Sequence, residues 1–380
     1  MTTRLSPDER HELARSVGAA CERLVSEERV RAAAFDRVGK YRGFDAELWT
    51  VLCRQVGVAA IALPEELGGA GYGASALGVV AHELGRALAP VPFVASAVLA
   101  TGLLLDTAPE RLLAERLPAL ADGERTAAAV ITCNGGIWDR AAVTLIADAA
   151  ADGWVIDGTA RHVLHGTAAD EFVVVALLDN EPGVFLVDAS SGGIAVDAER
   201  VLDGTRPMAT VTFAAAPAVR LTGGGPANYV IQRALHRALA VLSAEQVGSC
   251  ERVLEIATNY ARTREQFGRP IGSFQAVKHK CADMLVDLEW ARSASQAALQ
   301  AADESGDDAG QIGWRASMAK AVCSEALRSA AHANVQIHGG IGFTWEDSAH
   351  LYLRRARTDE VLFGSPGQHW DRLAAEAKLL

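Results

Sequence analysis

Two short segments combine the residue types that grip a diphosphate and a flat ring. The first, Arg262-Thr-Arg-Glu-Gln-Phe-Gly-Arg-Pro-Ile-Gly-Ser-Phe-Gln275, sets three arginines and two glycines beside an aromatic side chain. A guanidinium pairs with phosphate oxygens through parallel hydrogen bonds and stacks on ring faces. The second is Gln336-Ile-His-Gly-Gly-Ile-Gly-Phe-Thr-Trp-Glu346. Its glycines let backbone approach a ligand closely, and Gln336 brings a hydrogen-bonding amide. Together they suit the phosphate side of a cofactor. A helix C-cap glycine followed by a solvated turn would leave a similar string.

Other candidates carry less. His162 and His165 fall in an expected strand, where that spacing turns the rings to opposite faces and disfavours a shared metal. Pro64-Glu-Glu-Leu-Gly-Gly-Ala-Gly-Tyr-Gly73 lacks the Lys-Ser/Thr of a phosphate loop and the strand–turn–helix setting of a dinucleotide fingerprint, so it reads as a plain loop. No G-x-S-x-G elbow occurs. The six cysteines (Cys21, Cys53, Cys133, Cys250, Cys281, Cys323) form no C-x-x-C pair and read as free thiols in a reducing compartment. With 36 Lys+Arg against 47 Asp+Glu the net charge is −11, a poor match for nucleic acid. The N-terminus lacks the apolar stretch of a secretory signal. Residues 87–105 are uncharged and long enough for a bilayer, but Pro90, Pro92, Ser96 and Gly102 point to a core helix instead. A cytoplasmic chain is expected.

These segments need elements to hold them. At 380 residues, 50% apolar and 22% charged, the chain can bury two or three cores. Ser6-Pro7-Asp8-Glu9 starts a helix, with Ser6 as cap, Pro7 in the first turn and Glu9 closing a capping box. Helical periodicity follows over 46–56, 74–88, 92–105 and 110–117. From Thr126 short strands are expected at 127–132, 142–147, 154–157, 172–178, 184–188 and 209–213, with no helical run between them. They should form an antiparallel sheet or small barrel. Beyond Gly223-Gly-Gly-Pro226 helices are expected at 227–262 (about 54 Å at 1.5 Å per residue), 274–304, 309–338 and 348–362. The predicted fold class is α+β, mainly α: an N-terminal helical domain (1–124), a middle antiparallel β-domain (125–223) and a C-terminal four-helix bundle (224–380).

The strings R-x-Q-F-G-R-P-I-G-x-F-Q and Q-I-H-G-G-I-G-F-T-W-E, together with the helical–β–helical order, resemble the acyl-CoA dehydrogenase flavoproteins over nearly the whole chain. The likeness is strongest from Ala244 to Leu362. It implies an FAD held at a subunit interface and α,β-desaturation of an acyl-CoA, in which a glutamate removes an α-proton while the β-hydride passes to the flavin. It also implies an electron-transferring flavoprotein as acceptor. On that resemblance Arg264, Gln266, Phe267, Gln275, Gln336, Gly339 and Gly340 would face the adenosine-diphosphate part of the neighbouring subunit's FAD.

The departures from the family pattern are as informative. Where it carries T-E-P-x-x-G-S against the flavin ring, this chain has Ile131-Thr-Cys-Asn-Gly-Gly-Ile-Trp-Asp139; the second ring-side strand reads Arg161-His-Val-Leu-His-Gly-Thr167. The place of the catalytic glutamate holds Phe363, before Gly364-Ser365, and the alternative place holds Arg237-Ala238-Leu239. Neither offers a proton acceptor. What the family gives its neighbour is intact, and what it uses on its own flavin is altered. The resemblance therefore points to one subunit of an α2β2 enzyme of the kind known in bacterial steroid side-chain degradation, with no catalytic residue of its own. Two alternatives stand beside it: a self-sufficient homotetramer using Glu346 or Glu360 as base, and a flavin-free scaffold or non-redox member of the fold. For both glutamates a solvated or arginine-paired carboxylate is the simpler expectation.

Overall fold

The computed structural model describes residues 3–35, 43–132, 136–151, 153–304 and 309–376. Helix α1 (Pro7–Leu24) opens with the expected box: the Ser6 hydroxyl accepts from the Glu9 N–H, and the Glu9 carboxylate accepts from the Ser6 N–H at 2.8 Å. It is followed by α2 (Glu27–Phe35), α3 (Ala46–Val51), α4 (Ala74–Arg86), α5 (Thr101–Thr107) and α6 (Glu110–Ala121). The helix expected over 46–56 is α3 extended by a π-wound turn, Leu52–Val56, that ends at Gly57 with φ 77°. The uncharged stretch is π-wound over Phe93–Ala100 and continues into α5, buried throughout from residue 88 to residue 104. It is a core helix, and no helix among the described residues is long and apolar enough to cross a membrane.

The strands are β1 (Ala127–Val130), β2 (Ile146–Ala150), β3 (Gly153–Leu164), β4 (Glu171–Leu178), β5 (Glu181–Asp188), β6 (Ile194–Ala198) and β7 (Met208–Leu221). Pairings β4–β2–β3–β7–β5–β4 close into a small barrel, with β1 added to β4 and β6 to β7. Phe172, Val174, Phe185, Val187, Ile156 and Val211 fill it. Most pairs are antiparallel, as expected, but β1 and β2 run parallel to β4. The chain crosses over through the β2–β3 hairpin before β4 returns beside β1, a long-range pairing that no local turn announces. Strand β6 had no counterpart in the sequence reading, because four of its five residues are exposed and no buried face imposes alternation.

Among the described residues the C-terminal helices are α7 (Ala227–Thr263), α8 (Gln275–Glu304), α9 (Ala309–His338) and α10 (Ala349–Val361), followed by a further short helix, α11 (Pro366–Glu376). Helices α7, α8 and α9 pack against one another, and α10 and α11 lie on α9. Helix α4 lies on α7 backbone to backbone. A Cβ on Gly85 would stand 2.1 Å from the Glu245 carbonyl oxygen, and one on Gly248 would stand 2.0 Å from that of His82. Beside this crossing His82 bonds Glu83 at 2.9 Å and Glu251 at 3.1 Å, while Arg86 pairs with Glu251 and Glu255, each at 2.9 Å. The barrel is fastened to the bundle by buried charges. Arg355 pairs with Asp203 (2.7 Å) and Glu245, and Arg206 pairs with Asp359 (2.8 Å) and Glu245 (2.5 Å).

The two histidines of the β-domain do not share one regular strand. His162 sits on a β-bulge with φ 60° and bonds Glu199 at 2.6 Å, whereas His165 follows the strand with φ 52° and is buried. Burial, then the cations Arg206 and Arg355, push the His165 ring down to about 3. No group of His, Cys, Asp or Glu able to hold a metal occurs among the described residues.

Candidate functional site

The first glycine–arginine segment begins where α7 ends. Arg264 caps that helix through its N–H to the Tyr260 carbonyl (2.8 Å), and its own carbonyl accepts from Ile271 (2.8 Å). Between them Glu265-Gln266 and Arg269-Pro270 pair as a two-rung hairpin. Its tip carries Phe267, 91% exposed at φ 56°, and Gly268 at φ 75°. A left-handed phenylalanine with its ring in solvent is unfavourable twice over. Within the chain its ring meets Phe274, edge to face at 6.0 Å, while Arg269 lies 4.2 Å over Phe274. Gln275 is the first residue of α8; its side-chain amide bonds His279 at 2.9 Å.

The second segment lies at the same end of the bundle, because α9 runs antiparallel to α8. Gln336 is exposed on the last turn of α9, and Gly339–Phe343 forms a 3-10 turn beyond it. The His338 ring stacks on Tyr260 at 4.1 Å and 22°, which ties the end of α9 to the end of α7. All seven candidate residues, Arg264, Gln266, Phe267, Gln275, Gln336, Gly339 and Gly340, are therefore exposed at one end of the bundle. Alongside it runs a groove of about 590 Å³ between α8 and α9, lined by Lys280, Arg328, His332, Gln336 and Phe343 among others.

The opposite half of a flavin site would be built from the β-domain and the turn between α10 and α11. Ile131-to-Asp139 includes residues 133–135, Cys133 among them, which lie outside the described residues. Among the described residues, the turn after α10 is closely packed. Phe363 has φ 59°, and its carbonyl accepts from the buried His369 ring at 3.1 Å. Lys320, fully buried on α9, donates to the carbonyls of Glu360 (3.2 Å) and Gly364 (3.0 Å) and to the Ser324 hydroxyl (3.0 Å). Ile137 presses on the same turn, 2.8 Å from where a Cβ on Gly364 would stand. Leu164, Leu362, Trp138 and Phe363 join one apolar cluster. Burial lowers Lys320 to about 8 and His369 to about 3, so the ring is neutral and gives its one N–H to the Phe363 carbonyl.

The two alternative glutamates lie in different surroundings. Glu360 pairs with Arg357 at 2.5 Å and with Arg328 at 3.5 Å, and Glu346 is exposed. At the other family position Ala238 and Leu239 are buried, and Arg237 turns to Asp106 at 3.6 Å. Sequence reasoning did not find Lys320 or His369. The one trace of Lys320 was a long cation set among small residues, Ala316-Ser-Met-Ala-Lys-Ala321, on a buried helix.

The acyl-CoA dehydrogenase N-terminal domain family matches residues 7–124, and the acyl-CoA dehydrogenase C-terminal domain family matches residues 228–378. Acyl-CoA dehydrogenase IpdE2 of Mycobacterium tuberculosis (strain ATCC 25618 / H37Rv) is 32% identical over 370 residues, covering 97% of this chain and 98% of that one. Among solved structures, a variant of the Tcur3481-Tcur3483 steroid ACAD superposes with a TM-score of 0.87 at 30% identity, covering 98% of this chain and 99% of its own. The ChsE4-ChsE5 complex from Mycobacterium tuberculosis superposes with a TM-score of 0.86 at 29% identity, covering 98% of each chain.

Proposed function

The chain belongs to the acyl-CoA dehydrogenase family, and from that premise we propose that it is one subunit of a heteromeric, FAD-dependent acyl-CoA dehydrogenase. In this reading it donates the adenosine-diphosphate half of a flavin site shared with a second, dehydrogenase-like subunit. That subunit supplies the ring-side half and the glutamate base.

The exposed face fits such a group. A Cβ on Gly340 would meet nothing within 4 Å, and its φ lies outside the left-handed region, so this chain's own fold does not demand a glycine there. A ligand approaching from outside does. Arg264 would pair with the diphosphate, Gln266, Gln275 and Gln336 would hydrogen-bond the adenosine side, Phe267 would pack on a flat surface, and the Gly339–Gly340 backbone would lie alongside. When bound, FAD accepts the hydride that leaves the acyl β-carbon. The proton must leave the α-carbon to a base, and what carries the proposal is that Phe363 stands where the resemblance places that base, in a turn held by Lys320 and His369. The likeness to the Tcur3481-Tcur3483 steroid ACAD supports a steroid-type acyl group as substrate, and the family resemblance supports an electron-transferring flavoprotein as acceptor. The domain limits 1–124, 125–223 and 224–380 belong to the same proposal.

The test is a visible spectrum with native mass, taken on this chain alone and again co-expressed with a second dehydrogenase-like subunit. The reading expects a chain without flavin that becomes yellow, and reducible by acyl-CoA, only with its partner. A yellow homotetramer that turns over alone would sink it.

A further inference from the structure

The glycine turn is held at both ends by elements that do not belong to it. At the entry, His338 stacks on Tyr260 of α7, and its Nδ1–H donates to the Asn334 carbonyl at 2.9 Å. At the exit, Trp345 is seized by helix α2 of the N-terminal domain. Phe35 meets its ring edge to face at 5.2 Å and 89°, and the Arg31 guanidinium carbon lies 5.4 Å from the ring centroid. Arg31 also donates to the Asp347 carbonyl at 3.2 Å and approaches the His350 ring at 3.4 Å. From the C-terminal side, His350 packs on Trp345 at 4.8 Å and 77°, and Arg354 lies over it at 5.7 Å. Burial first, then the nearby cations Arg31 and Arg354, lower the His350 pKa.

This clamp brings residues some three hundred positions apart onto one indole that is 59% exposed. An indole used only for packing would be covered; here two cations and two ring edges hold it at the surface. Between the clamps runs Gly339-Gly-Ile-Gly342, backbone of maximal conformational freedom. A loop that binds through such backbone loses affinity to its own ordering unless something orders it beforehand.

We infer that Arg31 and Trp345 are positioning residues for the cofactor-facing turn: helix α2 of this chain sets the Gly339–Gly340 backbone for the neighbouring subunit's flavin diphosphate. The inference rests on the reading that this face receives FAD. Neither residue touches the ligand; each acts through the turn.

The experiment uses the full chain co-purified with its partner subunit, stripped of flavin and titrated with FAD and separately with FMN, which lacks the adenosine monophosphate arm. Arg31→Gln and Trp345→Ala should each weaken FAD about tenfold, the size of a lost cation–π and edge-to-face contact. FMN binding should stay within about twofold in both variants, and Trp345→Phe should recover most of the loss. Unchanged FAD affinity in both variants overturns the inference, and so does equal weakening of FAD and FMN, which would mean general loosening. Arg31→Gln, which keeps a hydrogen-bonding side chain at a part-buried position, keeps the question open to decision should Trp345→Ala fail to fold. Wild-type protein that binds no FAD with its partner would remove the underlying reading instead, and that result is visible before any variant is made.

Discussion

Phe363 occupies a backbone conformation that few side chains other than glycine tolerate, and it stays there because two buried groups hold its neighbours. His369 takes the Phe363 carbonyl and Lys320 the Glu360 and Gly364 carbonyls. Lys320→Ala should cost about 2–4 kcal/mol, the desolvation of two carbonyls left unpaired plus a cavity, read as a lower urea midpoint. Arg264→Ala should leave the unfolding free energy within about 0.5 kcal/mol, since the side chain is exposed. It should weaken FAD by about 1.5–3 kcal/mol in the heteromer, the value of a charge-assisted hydrogen bond, measured by flavin titration. Opposite outcomes for these two residues would separate the part of the chain that holds shape from the part that holds ligand.

At the level of elements, the contact that sets the N-terminal helices on the bundle is the α4–α7 crossing. Gly248→Ala drives a methyl into the His82 carbonyl, and backbone cannot step aside as a side chain can. A loss of about 3 kcal/mol or more is expected, at the upper end of overpacking costs. The charged cluster at this crossing gives the same joint a pH dependence. Burial disfavours the His82 cation, but hydrogen bonds to Glu251 and Glu83 outweigh it and raise the pKa to about 9. A raised histidine stabilises fully below its ordinary 6.5, and that contribution disappears as pH climbs through about 9. Glu251, held down to about 2 first by the hydrogen bond from His82, contributes above its ordinary 4.5 and loses that contribution as pH falls toward 2. The difference in unfolding free energy between wild type and His82→Asn should therefore shrink between pH 6.5 and 9; a difference flat across that window would refute the assignment.

For the whole molecule, several large apolar side chains are exposed on one helix of the bundle. Leu285, Val286 and Trp290 stand out of α8, Trp290 at 70% exposure, on a helix that starts at Gln275 of the candidate site. Large apolar groups left in water mark an association surface. Native mass should accordingly show this chain in an assembly when its partner is present, with flavin bound only in that assembly; Trp290→Glu should lower the assembled fraction and the flavin content together, leaving the helical circular dichroism of the chain unchanged.

Much of this architecture was legible in the residues. The capping box at Ser6, the switch from helical to strand period near Thr126 and the return after Pro226 are local signals, governed by hydrogen bonds and burial within a few residues. The two glycine-bearing strings and the absence of an acid at Phe363 were equally local. What the sequence could not determine was juxtaposition: the parallel entry of β1 beside β4, Lys320 reaching the Gly364 carbonyl from another helix, and Arg31 closing on Trp345. Those contacts join residues far apart in the chain, where chain entropy erases any local trace and only the packed tertiary structure decides who meets whom.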